Sequence, residues 1–286
     1  MIGSNQKNRQ AADSFFIPIN ERIKQFIYTC AMPEWIIYVL LPIVGFAAGF
    51  INTVAGGGSF LTLPVLIYLC GLPPQIANAT NRFSVVFYTT TSTTVYHAHG
   101  FGDLRLTKRL MLPSLFGAGS GAWAAAVFPT QAFMFIFGIA MIGMAMMLVT
   151  KPKMLLDVGH RKIEKKWLEW LVFYLIGFYG GFLQAGVGLL LLIGLAMTHG
   201  RDLLHSNGVK VSLALGYAIF SVAIFAYYGQ IQVAEGSLLA VGAVTGALIG
   251  AKTAIKKGTQ FIYYFVVIIA IITGCNMIYK SFTQMM

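Results

Sequence analysis

The sequence predicts an all-α polytopic membrane protein made of two inverted-topology repeats, each a broken or re-entrant helical hairpin followed by three transmembrane helices. Three observations predict it. Hydrophobic residues make up 57% of the 286 residues and charged residues only 10%, where a soluble domain carries roughly a quarter charged residues. Trp35–Val54, Leu110–Phe128, Ala132–Val149 and Phe261–Tyr279 are apolar runs of about the 20 residues that a bilayer-crossing helix needs. Lastly, the second half of the chain repeats the first.

The chain begins with a polar stretch, residues 1–14, that lacks the apolar core and small-residue cleavage site of a signal peptide. From Phe15 to Ile27, Phe15, Ile19, Ile23, Phe26 and Ile27 recur at helical spacing, with Glu21, Arg22, Lys24 and Gln25 between them. That pattern predicts a helix lying on the membrane surface. Residues 1–34 therefore form a polar segment with an amphipathic helix, followed by a first membrane repeat over 35–150. A basic linker covers 151–166, and a second repeat covers 167–286.

Three matches in the same order define the repeat. GFAAGFINTVAGGG (Gly45–Gly58) resembles GFYGGFLQAGVGLL (Gly177–Leu190), offset by 132 residues (45 to 177), which aligns Asn52 with Gln184 and Gly56 with Gly188. ATNRFS (Ala79–Ser84) resembles NGVKVS (Asn207–Ser212), offset by 128 (79 to 207), so Arg82 falls on Lys210. Gly117 and Gly121 of GAGSGAW match Gly246 and Gly250 of GALIGAK, offset by 129 (117 to 246). A shorter connector in the second half, which has no counterpart of the prolines in GLPPQ, accounts for the change of offset.

Charge sets the expected topology. Lys151–Lys166 holds six basic and two acidic residues, and further basic loops are read around Asp103, Arg105, Lys108 and Arg109 and over Lys252–Lys257. The positive-inside rule assigns all three to the cytoplasmic side of a multi-pass plasma-membrane protein. GLPPQ and Pro129–Thr130 then lie outside. Trp35–Cys70 forms a hairpin from the outside, whose AGGGS and Pro64 suit short or broken helices. Trp167–Met197 forms the corresponding hairpin from the inside. Helices Leu203–Tyr228, Gly236–Ala251 and Phe261–Tyr279 complete the second half. Interrupted helices in inverted repeats are a recurring transporter plan, with the binding site at the repeat interface.

The candidate site follows from two buried cations. Arg82 lies about seven residues into its helix, roughly 10 Å below the entry point at 1.5 Å per residue. Holding a charge at that depth costs at least about 2.5 kcal/mol. Alone it could snorkel back to the surface. Lys210 occupies the matching place in the other half, and neither helix contains an acidic residue to pair with either cation. An anionic substrate supplies the missing counter-charge. Asn78, Thr80 and Asn81, and Ser206 and Asn207, lie near helix N-terminal ends, where free N–H groups favour negative charge. Asn52 and Gln184 can add amide donors from the hairpins. Gly56, Gly57 and Gly58 either admit a ligand to the backbone or serve loop geometry and packing.

Other signals point elsewhere. His97 and His99, two residues apart on a helix, do not face one another and read as interfacial histidines rather than metal ligands. The hydroxyls of Thr89–Thr94 either line a wet path or bond the carbonyl four residues back. Cys30, Cys70 and Cys275 stand singly, as small apolar residues do. The net charge of +11 sits in loops, with no basic stripe interleaved with aromatic residues, so nucleic acid is not an expected partner. No catalytic triad, paired-carboxylate or phosphate-loop pattern is present, so neither an enzyme nor a bound cofactor is expected. The expected partners are the lipid bilayer and a small anion, and the alternative is an anion channel or a carrier for another small organic anion.

GFAAGFINTVAGGGSFLTLPVLIYLCGLPPQIANATNRFS strongly resembles the N-terminal signature of the TauE/SafE sulfite-exporter family, also called the toluenesulfonate uptake permease family. GFYGGFLQAGVG, SNGVK and GALIGAK resemble its weaker second repeat, and the similarity runs from about Trp35 to Lys280. The resemblance implies a bacterial-type plasma-membrane carrier, more often an exporter than an importer in that family, for sulfite, an organosulfonate or a related small anion. Its motif falls on Asn52, Gly56–Gly58, Thr80, Asn81 and Arg82. Leu189–Leu192 departs from the pattern by replacing a second glycine cluster.

Overall fold

A computed structural model describes residues 34–54, 56–150, 163, 165–199 and 203–257. The expected surface helix at 15–27, most of the basic linker and the expected last helix Phe261–Tyr279 lie outside the described residues. Every regular element described is helical. The first half contains α1 (Glu34–Val54), α2 (Ser59–Pro64, continued by a π-helical turn Val65–Leu69), α3 (Pro74–Ala98), α4 (Leu104–Val127) and α5 (Thr130–Thr150). The second contains α6 (Lys166–Phe182), α7 (Val187–His199), α8 (Leu203–Tyr227) and α9 (Val233–Lys257).

Each half opens on a long helix, a break and a short helix, as the glycine and proline interruptions predict. Among the described residues, four helices are long and apolar enough to cross a membrane, over Trp35–Val54, Leu104–Val127, Leu204–Tyr227 and Val233–Lys256. The Ser59–Leu69 and Val187–His199 segments are apolar but shorter. Trp35 and Trp167 open α1 and α6 and are 67% and 64% exposed, where tryptophan anchors a helix at the membrane interface.

Two of the basic stretches read as loops are helical. Asp103 accepts a hydrogen bond from the Leu106 amide (2.9 Å) and caps α4, so Arg105, Lys108 and Arg109 belong to its first turns. An N-cap side chain satisfies an otherwise orphaned amide and lets the helix start before its apolar run does. Likewise α9 continues through Lys252 to Lys257, and cations suit its C-terminal turns.

The helices pack in an exchanged order. α1 lies along α9, and α6 lies along α4. A Cβ on Gly45 would overlap the Leu239 carbonyl, one on Gly49 the Ala243 carbonyl, and one on Gly246 the Phe46 carbonyl. At the other seam, Gly117 meets Tyr174, Gly121 meets Phe178 and Gly181 meets Ala118 in the same way. Residue numbers rise together along both seams, so each pair is parallel. Between helices in lipid, close backbone packing replaces hydrophobic driving force, and glycine permits it. Gly117, Gly121, Gly246 and Gly250 thus serve helix crossing, with Gly250 lying on Phe50.

The third helices of the two halves, α3 and α8, cross antiparallel at the centre. His97 pairs with Ser212 (3.0 Å) at one end of the crossing, and Arg82 lies over the Phe225 ring (5.2 Å) at the other. The largest core joins Phe60, Leu63 and Leu66 of α2 to Phe133, Phe137 and Met141 of α5 and to Phe182 and Leu189. Met144 of α5 lies at the second break, beside Gly186. Leu189, Leu191 and Leu192, which stand where a second glycine cluster was expected, are buried core residues.

Candidate functional site

The centre of the molecule is the place where the two breaks touch. Gly56 has φ +88°, a conformation that costs an L side chain about 1–2 kcal/mol. A Cβ there would also lie 2.7 Å from the Gly188 backbone. Gly56 and Gly188 were aligned by the repeat, and they pack on each other. Gly58 donates its amide to Asn52 Oδ1 (2.9 Å), so the Asn52 side chain closes the first break and starts α2. Gly57 is buried beside them. In the second break Gln184 adopts φ +60°, and its buried Oε1 has no hydrogen-bond partner among the described residues.

Arg82 is fully buried. Its Nη2 donates to the Gly181 carbonyl (2.6 Å), and one turn earlier Asn78 Nδ2 donates to the Phe182 carbonyl (2.9 Å). Both acceptors belong to the last turn of α6, whose carbonyls lack partners within the helix. Lys210 does the same for the other half. Its Nζ donates to the Thr53 carbonyl (3.1 Å), to the Asn52 carbonyl (3.4 Å) and to Asn207 Oδ1 (2.6 Å). Each half's opening helix therefore ends on a cation from the other half, where the helix dipole is negative. The counter-charge that the sequence leaves missing is met in part by backbone carbonyl oxygens. Helix-terminal carbonyls partner both.

The two cations nonetheless differ. An ammonium has three donors and an arginine five N–H groups. Lys210 has three acceptors and is saturated. Arg82 Nε and Nη1 are buried and have no hydrogen-bond partner among the described residues. The buried carboxylate among these residues is Glu169, and it pairs with Arg109 of α4. Around Arg82 the polar groups are neutral. The Tyr88 hydroxyl shares a hydrogen bond with the Asn52 side chain, and Tyr88 and Tyr217 are both buried.

Not every expected residue faces this place. Thr80 Oγ1 accepts from the Gln232 amide (3.0 Å) at the start of α9. Asn81 accepts from Thr62 Oγ1 (2.7 Å) and donates to Ser59 Oγ (3.2 Å), tying α3 to α2. Ser206 is buried near the start of α8. The two histidines use their rings separately, His97 on Ser212 and His99 on the Val95 carbonyl (2.8 Å). Thr89, Thr90, Thr91, Ser92 and Thr94 each bond a carbonyl four residues back.

Sequence reasoning missed Tyr88, Tyr217 and Phe225. The available signal was position: Tyr217 and Phe225 lie eight residues apart, about two turns of one helix. α8 is so rich in aromatic residues that spacing alone does not single them out.

A family model described as sulfite exporter TauE/SafE matches residues 41–277. Among curated proteins, the chain is 28% identical over 229 residues to the "probable membrane transporter protein ORF9" of a Sinorhizobium species, covering 80% of this chain and 87% of that one. It is 24% identical to a "probable membrane transporter protein" of Haemophilus influenzae, covering 83% and 93%, and 24% identical to YfcA of Escherichia coli K12, covering 84% and 89%. No solved structure matches the chain.

Proposed function

Because the chain belongs to the sulfite exporter TauE/SafE family of membrane transporters, we propose that it is a secondary plasma-membrane carrier, acting as an exporter, for a small sulfur oxyanion such as sulfite or an organosulfonate. The observation that carries this reading is Arg82. It is a fully buried guanidinium whose Nε and Nη1 have no partner among the described residues, placed at the end of α6 beside the second break. Burying donors that nothing accepts is costly, and an acceptor-only anion removes that cost when it binds. Arginine presents its donors in a planar fork suited to an oxyanion. Lys210, with its donors engaged, acts as the clasp of the other half.

Alternating access follows from the exchanged packing. We read the halves as inverted repeats, and several equivalences support this. The α1–α9 seam corresponds to the α4–α6 seam, Gly56 touches its own equivalent Gly188, and the Arg82 and Lys210 caps correspond. In addition, α3 and α8 cross antiparallel. Rocking the α1–α9 pair against the α4–α6 pair around Gly56–Gly188 would expose Arg82 to each side in turn. Single cysteines introduced into Lys151–Lys166 are expected to be shielded from impermeant thiol reagents in intact cells, while ones beside Pro129 react. Labelling of the linker from outside would overturn the inverted topology.

An inside-negative potential of about 100 mV favours outward movement of each negative charge by roughly 2.3 kcal/mol. Export can therefore run on voltage when the empty carrier returns without net charge. Flux through proteoliposomes tests the function, with sulfite, sulfate, taurine, sulfoacetate and an aryl sulfonate as the panel. The expected result is saturable flux of at least one sulfur anion, accelerated by the same anion on the far side. Flux without saturation or counter-exchange would indicate a channel.

A further inference from the structure

Arg82 projects from α3, and α8 makes one side of its surroundings. Phe225 lies against the guanidinium (5.2 Å). Four and eight residues earlier, on the same face of α8, stand Ser221 and Tyr217, each fully buried. The Tyr217 hydroxyl and Ser221 Oγ have no hydrogen-bond partner among the described residues.

The Tyr217 ring tip is located by Gly180. A Cβ on that glycine would lie 3.5 Å from Cε2 and 3.7 Å from Cζ of the tyrosine. Gly180 immediately precedes Gly181, whose carbonyl holds Arg82. Tyr217 thus ends at the same turn of α6 as the guanidinium, and both carry unused donors. Helix dipoles and packing explain why an aromatic ring sits there. They do not explain a hydroxyl, because a phenylalanine of the same shape would avoid an unmet buried polar group.

We propose that Tyr217 is a specificity-determining donor that reads a third oxygen of the anion held by Arg82, with Ser221 one turn further along α8 as a secondary donor. This rests on Arg82 being the anion ligand. A planar carboxylate has two oxygens and is fully matched by a guanidinium fork. A sulfonate or sulfite head carries three oxygens around one sulfur, and the third needs a donor outside the guanidinium plane. A donor on a second helix supplies it. A site built to hydrogen-bond a group discriminates against analogues that leave its buried donor unpaired.

The test is equilibrium binding of methanesulfonate and acetate to the purified full-length protein and to Tyr217→Phe, with melting temperature recorded in parallel. The substitution is expected to weaken methanesulfonate about tenfold, the scale of one hydrogen bond to a charged group. Acetate affinity stays within about twofold, so selectivity for the sulfonate collapses. The ligand-free protein melts at or above the wild-type temperature, since the hydroxyl it loses has no partner. Equal loss for both anions, unchanged methanesulfonate affinity, or a large drop in melting temperature would each overturn the proposal. Arg82→Gln separates the two levels. If that variant loses methanesulfonate binding while Tyr217→Phe binds normally, only the role of Tyr217 fails. If Arg82→Gln binds normally, the site itself fails, and the role of Tyr217 with it.

Discussion

Arg82→Gln is expected to abolish anion flux through proteoliposomes while the protein stays folded. Glutamine is two bonds shorter than arginine and leaves the Gly181 carbonyl without its Arg82 donor, while Asn78 still holds the neighbouring Phe182 carbonyl at the end of α6. What disappears is the charge, the buried Nε and Nη1 donors and the contact with the Phe225 ring. The lost cation–π contact is worth about 1 kcal/mol. Against it stands the relief of removing a desolvated charge that lacks a carboxylate partner. The melting temperature is therefore expected to move by no more than about 4 °C, the shift of roughly 1 kcal/mol in a chain of this size. Arg82→Lys keeps the charge and loses the fork, so anion affinity falls by about 1–2 kcal/mol, roughly fivefold to thirtyfold. Unfolding of both variants would make Arg82 a structural residue.

Lys210→Met gives the opposite pattern, although the repeat aligns the two positions. Lys210 spends its three donors on Thr53, Asn52 and Asn207. Methionine fills a similar volume and satisfies none of them. The α1 carbonyls lose their cap in a buried setting, at about 2–4 kcal/mol after the relief of the buried ammonium is counted. The melting temperature should drop by roughly 5–10 °C, while the fraction that remains folded binds anion with near wild-type affinity. Thermal melting and binding on the same preparation check this. An unchanged melting temperature with binding lost would make Lys210 an anion ligand and dissolve the distinction between the two cations.

The parts of the fold that were legible in the sequence are those where a side chain must be absent. Gly45 and Gly49 match Gly177 and Gly181 because each pair lets a neighbouring backbone approach, α9 in one half and α4 in the other. Gly56 and Gly188 were paired by alignment and meet in space for the same reason. Arg82 and Lys210 were legible as charges in apolar surroundings. Their partners were not. Every residue has a carbonyl, so nothing in the letters says that Gly181 or Thr53 ends a helix facing a cation from the other half. The start of α4 was misread for a similar reason: counting apolar residues overlooks a cap such as Asp103. Tyr217 and Ser221 were hidden because a hydroxyl's lack of a partner is visible only once every neighbour is placed.

The most direct test of the account is equilibrium binding of radiolabelled sulfite to the purified protein and to Arg82→Gln in detergent. One saturable site per chain is expected in the wild-type protein, competed by methanesulfonate, and no saturable binding in a folded Arg82→Gln variant. Wild-type affinity in Arg82→Gln would contradict it and move the anion elsewhere in the molecule.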